Sequence, residues 1–307
     1  MLAKPITDSR AWTAATVGRP DEWRTELPPE CVRELEDLTT RADPVTDFRL
    51  HLADVPLTAE ALSDLKAELV EGRGFGIIEG IDVSDPQLGS RIYWALGQIL
   101  GSPFEQNIQG ALLYDVKDTG QDVSRGARFS VTNAESSFHT DRAFGEVLPD
   151  FVGLLCLQTA MSGGQSQLVS AYALHNTLLE KCSDALEALY GSFLIDKRGQ
   201  VRGNEPAQLE APIFAWDRRV LTMRYLRYYI EVGHREAERP LTPAEEKAID
   251  AVDDLLTDPR YRVEFSLQKG QVLFTNNRWI LHNRTAFEDH PDPDRRRHYV
   301  RLWLSRN

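Results

Sequence analysis

The chain has 307 residues, 42% of them hydrophobic and 27% charged, with a formal net charge of −12. That is the composition of an ordinary globular protein with material for a substantial core, and so negative a charge excludes nucleic acid or an anionic membrane surface as the main partner. Cys31, Cys156 and Cys182 form neither a CxxC pair nor a disulfide framework, no stretch approaches a membrane span, and the first residues lack a continuous apolar run, so a soluble, cytoplasmic protein is expected.

Residues 1–57 carry scattered Pro, Arg and acidic residues with weak periodicity. They read as an N-terminal arm with short helices packed on the body, and residues 58–307 read as one domain. TAEALSDLKAELVEG (58–72) repeats Leu62, Leu65 and Leu69 at helical spacing behind Thr58 as a cap. A Gly-bounded strand over Phe75–Ile78 precedes a helix capped by Asp85, with Pro86 at its first position and Gly101 at its end. From about residue 107 the pattern turns to β. QNIQGALLYDV is strand-like, and KDTGQDVSRGARF (117–129) is a polar loop. FVGLLCLQTA is apolar on both faces, as a covered strand is, which makes Cys156 a buried and inert thiol. The Gly163-Gly164 turn leads to QSQLVSAY, and a helical insert follows near 171–191. FLIDKR, PIFAW and RVLTMRYL are further strands. In the helix near 242–256, Thr242 and Glu245 have capping-box spacing behind Pro243. YRVEFSL, GQVLFTNNRWILHN and RRHYVRLWLS close the chain as short strands. A helical preface followed by many short strands predicts a mainly β fold with α, a sandwich or barrel with helices outside.

SSFHTDRAFG (136–145) has no helical period. In an extended segment residues i and i+2 share a face, so His139 and Asp141 can converge while Thr140 points away. Alone, the pair fits a surface turn or a strand-end hydrogen bond as readily as half a metal site. Of the seven histidines, His51, His175, His234, His290 and His298 sit in ordinary structural settings. His282 instead ends an apolar run, GQVLFTNNRWILH, entering a polar tip. Two histidines and one carboxylate match the facial triad of non-haem Fe(II) oxygenases, which leaves positions open for a chelating co-substrate and dioxygen. A 2-oxoglutarate chelate needs a cation for its remote carboxylate, and the planar guanidinium fork suits it. Arg297, Tyr299, Arg301 and Trp303 share one face of the last strand, and the two aromatics argue that this face looks inward. A solvent-facing arginine ladder on an edge strand is the other reading.

FHTD, GGQSQL, NNRWILHNRTAF and RRRHYVRLWL, in that order from Phe138 to Leu304, resemble the taurine dioxygenase/clavaminate synthase superfamily of Fe(II)- and 2-oxoglutarate-dependent oxygenases. The resemblance implies a double-stranded β-helix (jelly-roll) core flanked by helices, with His139, Asp141 and His282 on Fe(II). It implies that Arg297 holds the 5-carboxylate of 2-oxoglutarate, that Ser166 assists where relatives use Thr, and that Arg301 completes that pocket or touches substrate. A carboxylate at Asp141 argues against halogenation. The implied reaction consumes 2-oxoglutarate and O2, gives succinate and CO2, and hydroxylates an unactivated C–H bond of a small molecule, amino acid-like or a natural-product intermediate. Desaturation or cyclisation by the same chemistry is the alternative. A zinc hydrolase or a non-catalytic jelly-roll module stands further off, since a hydrolase does not need Arg297 and Arg301 on the inner face. The 117–129 loop and MRYLRYYIEVGHR are candidates for a lid and pocket wall. Arg224, Tyr225 and Asn107 are candidates to meet substrate, with exposed strand positions as the other reading of the first two.

Overall fold

A computed structural model describes residues 1–39, 44–121, 129–201 and 203–306. Most of the 117–129 loop therefore lies outside the described residues. The N-terminal segment contributes to the interior: Trp12 and Trp23 are buried, β1 (Arg24–Glu26) pairs in parallel with the later strand Phe75–Glu79, and α1 (Pro29–Thr39) follows. The helix expected over 58–72 is two, α2 (Pro56–Ala61) and α3 (Ser63–Val70). Thr58 is not its cap. Pro56 starts the helix two residues earlier, and Thr58 is buried inside α2, where Glu34 of α1 accepts both its backbone N–H (2.9 Å) and its hydroxyl (2.6 Å). After β2 (Phe75–Glu79), α4 (Pro86–Leu100) has the expected cap, with Asp85 accepting the N–H groups of Gln87 and Leu88. The next strands are β3 (Ser102–Phe104) and β4 (Leu113–Val116). Residues 106–112, expected to be extended, turn instead because the Asn107 side chain accepts the N–H groups of Gln109 and Ala111.

The remaining elements are β5 (Phe151–Gln158), β6 (Ser162–Gly163), β7 (Ser166–Ser170), α5 (Ala171–Lys181), α6 (Ser183–Leu189), β8 (Ser192–Asp196), β9 (Gln208–Pro212), β10 (Phe214–Trp216), β11 (Leu221–Met223), α7 (Arg227–Glu236), α8 (Pro243–Thr257), β12 (Arg262–Phe265), β13 (Val272–Asn276), β14 (Ile280–Arg284), β15 (Phe287–Glu288) and β16 (His298–Ser305). A seven-stranded sheet runs β1-β2-β13-β5-β16-β3, with β4 also on β16, and a three-stranded sheet runs β12-β7-β14. One buried cluster joins Leu168 and Leu281 of the small sheet to Leu273 and Tyr299 of the large one. A second buries the other face of the large sheet against α4, through Tyr93, Trp94 and Leu155. Both faces of β5 are thus covered. A Cβ at Gly153 would lie 2.5 Å from the Tyr93 hydroxyl, so glycine there sets how closely α4 approaches. Burial pushes the Cys156 thiol up to about 11, consistent with an inert packing residue.

The turn after β13 carries the chain from the large sheet to the small one, so His282 falls in the middle of β14, opposite Leu168 of β7, and not at a hairpin tip. At α8 the capping box is complete: Thr242 Oγ1 accepts the Glu245 N–H at 3.3 Å, and Glu245 Oε2 accepts the Thr242 N–H at 2.7 Å. Thr242→Ala should cost about 1 kcal/mol of stability in denaturant unfolding. His175 of α5 is fully buried, with Nε2 2.8 Å from the Tyr190 hydroxyl. Burial, aided by the N-terminal charge, lowers it from 6.5 to about 4. The unfolded chain therefore takes up a proton that the folded one refuses, and stability should fall as pH drops from about 6.5 to about 4, by up to about 3 kcal/mol. His175→Gln should flatten that part of the pH profile.

Candidate metal centre and its cavity

His139 forms a lone antiparallel bridge with His282: each backbone N–H donates to the other's carbonyl, at 3.0 and 2.9 Å. Only this residue of the FHTD segment is strand-like, and Asp141 already begins a turn. Thr140 points away, as expected, and its hydroxyl accepts the Tyr225 N–H at 3.1 Å. The Nε2 atoms of His139 and His282 lie 3.6 and 3.8 Å from the same Asp141 oxygen, Oδ1. One ligand atom from each of the three residues lies within 4.8 Å of the others, the only such group of three among the described residues.

The surrounding contacts leave these atoms ready for a cation. His139 Nδ1 is 2.7 Å from the Ser137 carbonyl, which can only accept, so Nδ1 carries the hydrogen and Nε2 the lone pair. Burial, reinforced by His139, lowers His282 to about 3, which keeps its imidazole neutral at physiological pH. Burial alone would raise the Asp141 carboxyl, but Arg301 and the two histidines hold it well below the usual carboxylate range. Trp303 Nε1 donates to Asp141 Oδ2 at 2.6 Å, and Arg301 Nη1 lies 3.3 Å from both oxygens. Oδ2 is thereby anchored and Oδ1 is presented between the imidazoles. Asn277, in the turn between β13 and β14, fixes the backbone of Asp141: its Oδ1 accepts the Asp141 N–H at 2.7 Å and its Nδ2 donates to the Asp141 carbonyl at 3.0 Å. Arg142, next in sequence, has φ 56°, a left-handed conformation that costs a non-glycine residue about 1 kcal/mol or more and that these contacts sustain.

A cavity of ≈ 140 Å³ opens over the three residues and also exposes Ser166, Arg284, Arg297 and Arg301. Arg297 is 4% exposed, and its Nε and Nη1 have no hydrogen-bond partner among the described residues. It is sandwiched by aromatic rings, with Cζ 3.8 Å from the Tyr299 centroid and 5.1 Å from that of Phe287. A Cβ at Gly164 (φ +71°) would sit 3.4 Å from Arg297 Nε, so the expected Gly163-Gly164 turn leaves just enough room for the guanidinium. A buried cation with donors unpartnered among the described residues, beside a candidate metal site, fits a carboxylate ligand.

The other predicted residues divide. Arg301 reaches the cavity but is already engaged: Nε donates to Gln106 Oε1 at 2.8 Å and the rest of the fork faces Asp141. Arg224 does not line the cavity. Its guanidinium ties down the loop after the metal motif through the carbonyls of Ala143, Gly145 and Glu146. Tyr225 is buried away from the cavity, its hydroxyl donating to Asp253 of α8. The expected strand over 219–226 ends at Met223, because α7 starts at Arg227, which pairs with Asp250 and Asp253 of α8. MRYLRYYIEVGHR is thus mostly helix, and Leu226 and Tyr229 are its residues on the cavity wall. Asn107 lines a neighbouring compartment instead. Asn277, Gln106 and Arg284 were not anticipated. Arg284, at the end of β14, donates Nη1 to the Thr132 carbonyl at 2.9 Å, while its Nε has no partner among the described residues.

Residues 34–303 match the family described as taurine catabolism dioxygenase TauD, TfdA family. The chain is 28% identical to FR-33289 synthase of Streptomyces rubellomurinus over 321 aligned residues, which cover 99% of this chain and 91% of that protein. It is 30% identical to a uridine-5'-phosphate dioxygenase of an Amycolatopsis species, over 76% of this chain and 85% of the relative. In three dimensions it superposes on asparagine oxygenase in complex with Fe(II), 3-hydroxyasparagine and succinate with TM-score 0.68 and 21% identity, over 92% of this chain and 93% of that one. The non-haem iron oxygenase OrfP, in complex with Fe and alpha-ketoglutaric acid, gives TM-score 0.68 at 17% identity, over 92% and 94%.

Proposed function

The chain belongs to the taurine catabolism dioxygenase TauD, TfdA family, and from that premise we propose that His139, Asp141 and His282 hold Fe(II) and that Arg297, with Ser166, holds the remote carboxylate of 2-oxoglutarate. The protein is a non-haem iron, 2-oxoglutarate-dependent dioxygenase that hydroxylates a small molecule. The observation that carries the residue assignment is the buried Arg297 fork, with Nε and Nη1 unsatisfied among the described residues, in the cavity that exposes the His-Asp-His group. The two sheets are read as the halves of a double-stranded β-helix. Residues 58–307 are read as its single domain and 1–57 as an arm packed on it, although the family match begins inside that arm, at residue 34. Three free cysteines, two of them buried, support a reducing, cytoplasmic setting.

When bound, Fe(II) with 2-oxoglutarate and O2 supplies the oxidising power for hydroxylation, with succinate and CO2 as co-products. The protein's residues do the positioning. Ser137 fixes the His139 tautomer, and Trp303 and Arg301 aim the Asp141 carboxylate while keeping it ionised. Arg297 would hold the remote carboxylate of the co-substrate and so limit how it lies in the cavity. Arg301, expected to complete the 2-oxoglutarate pocket or to touch substrate, is read here as also orienting Asp141. Aerobic incubation with Fe(II) and 2-oxoglutarate should form succinate, faster when a substrate is present. Succinate formation that survives replacement of Fe(II) by Zn(II) would contradict the assignment.

A further inference from the structure

Among the described residues, the cavity wall carries four arginines, Arg142, Arg284, Arg297 and Arg301, against one carboxylate, Asp141, in a chain whose net charge is −12. Fe(II) and the 2-oxoglutarate dianion cancel in charge, so loading the site leaves this excess in place. Asp118, Asp289 and Glu135 moderate Arg284 from behind the wall, but none of them lines the cavity. A substrate entering here meets a positive field at low dielectric, where charge matters most.

A second compartment adjoins the first and shares Gln106, Arg142 and Phe144 with it. Lys197, just past the end of β8, lines it and is 4% exposed. Lysine is almost never so buried without a close partner. Yet the ammonium faces one carboxylate among the described residues, that of Glu205, at 3.6 Å on a side chain 46% exposed to solvent. The other carboxylates here, Glu105 and Glu146, belong to exposed residues of the rim, where water screens them. Exposed Ile108 and Val147 flank the same mouth. The compartment thus has a largely buried lysine inside, an acidic rim exposed to solvent and three wall residues in common with the cavity over the candidate metal centre.

We propose that this compartment is a substrate subsite in which Lys197 binds an anionic group, a carboxylate or a phosphoryl-type group, of the small molecule whose carbon is oxidised at the metal. The inference rests on the iron and 2-oxoglutarate reading above and adds the substrate's chemical class. A lysine ammonium is a compact point charge and serves either kind of anion. An anion held beyond Gln106 and Phe144 leaves the far end of the molecule to present its C–H bond, so Lys197 helps to choose which carbon reacts.

The test uses the full chain loaded with Mn(II), a redox-quiet stand-in for Fe(II), and saturating 2-oxoglutarate so that Arg297 is occupied. Inorganic phosphate and, separately, acetate are titrated at constant ionic strength while the thermal unfolding midpoint is read. At least one anion should raise the midpoint saturably in the wild type and in Lys197→Arg, with affinity weakened roughly tenfold or more in Lys197→Met. Lys197→Gln serves in the same role if the methionine variant does not fold. A response to phosphate alone identifies the phosphoryl class, and one to acetate alone the carboxylate class. A wild type that responds to neither anion, or a neutral variant that responds as the wild type does, overturns the proposal. Binding of 2-oxoglutarate to the Mn(II)-loaded wild type is read first. Its failure would count against the metal and co-substrate reading and is thereby separated from failure of the anion site.

Discussion

Asp141→Ala should abolish turnover and metal-dependent binding of 2-oxoglutarate while leaving a folded protein. The loss should exceed about a hundredfold, since removing even an outer partner of a metal ligand costs 10–100-fold. The substitution removes the only carboxylate of the His139–Asp141–His282 group and leaves Trp303 Nε1 and part of the Arg301 fork without the acceptor they share. A buried donor stripped of its partner costs about 1–3 kcal/mol, so the metal-free variant should unfold a few degrees below the wild type. Circular dichroism with a thermal scan checks the fold, and succinate formation checks the activity. A variant that still turns over would remove Asp141 from the metal site.

Arg297→Met should move function and stability in opposite directions. The wild-type guanidinium is buried between Phe287 and Tyr299 with two nitrogens that have no partner among the described residues, so in the absence of ligand it carries a desolvation cost that methionine avoids. The ligand-free variant should therefore be at least as stable as the wild type. Its affinity for 2-oxoglutarate should fall by roughly thirtyfold, about 2 kcal/mol for losing one partner of a buried charge pair. Arg297→Lys keeps the charge but not the planar fork and should fall between the two. Isothermal titration with 2-oxoglutarate measures the first effect and thermal unfolding the second. Unchanged affinity in both variants would move the carboxylate role to another residue, Arg284 first among them.

The candidate metal group was legible because its chemistry is local or scarce. His139 and Asp141 are two residues apart in a segment without helical period, and only seven histidines had to be searched for the third ligand. Arg297 was legible because alternation along the last strand put it on the face of Tyr299 and Trp303, and that face is buried. What orients the ligands was not legible. Trp303 reaches Asp141 from 162 residues away and Asn277 from 136, and no pattern in a single chain specifies such pairings. Arg301 shows the same limit. Its face could be read, but its engagement with Gln106 and Asp141 depends on three separate segments meeting. Arg224 and Tyr225, candidates to meet substrate, are drawn away by partners distant in the sequence: Arg224 donates to carbonyls of the 143–146 loop and Tyr225 to Asp253 of α8. Thr58 was misread because a carboxylate from another helix, Glu34, took over the capping that local sequence assigned to Thr58 itself.

The most direct test of the central claim is an anaerobic titration of metal-free protein with Fe(II) and then 2-oxoglutarate, followed by visible absorption. Chelation of the co-substrate at a His139–Asp141–His282 centre predicts a weak charge-transfer band that saturates with 2-oxoglutarate and is absent in Asp141→Ala. Saturable binding of Fe(II) with no such band at any 2-oxoglutarate concentration would contradict the account.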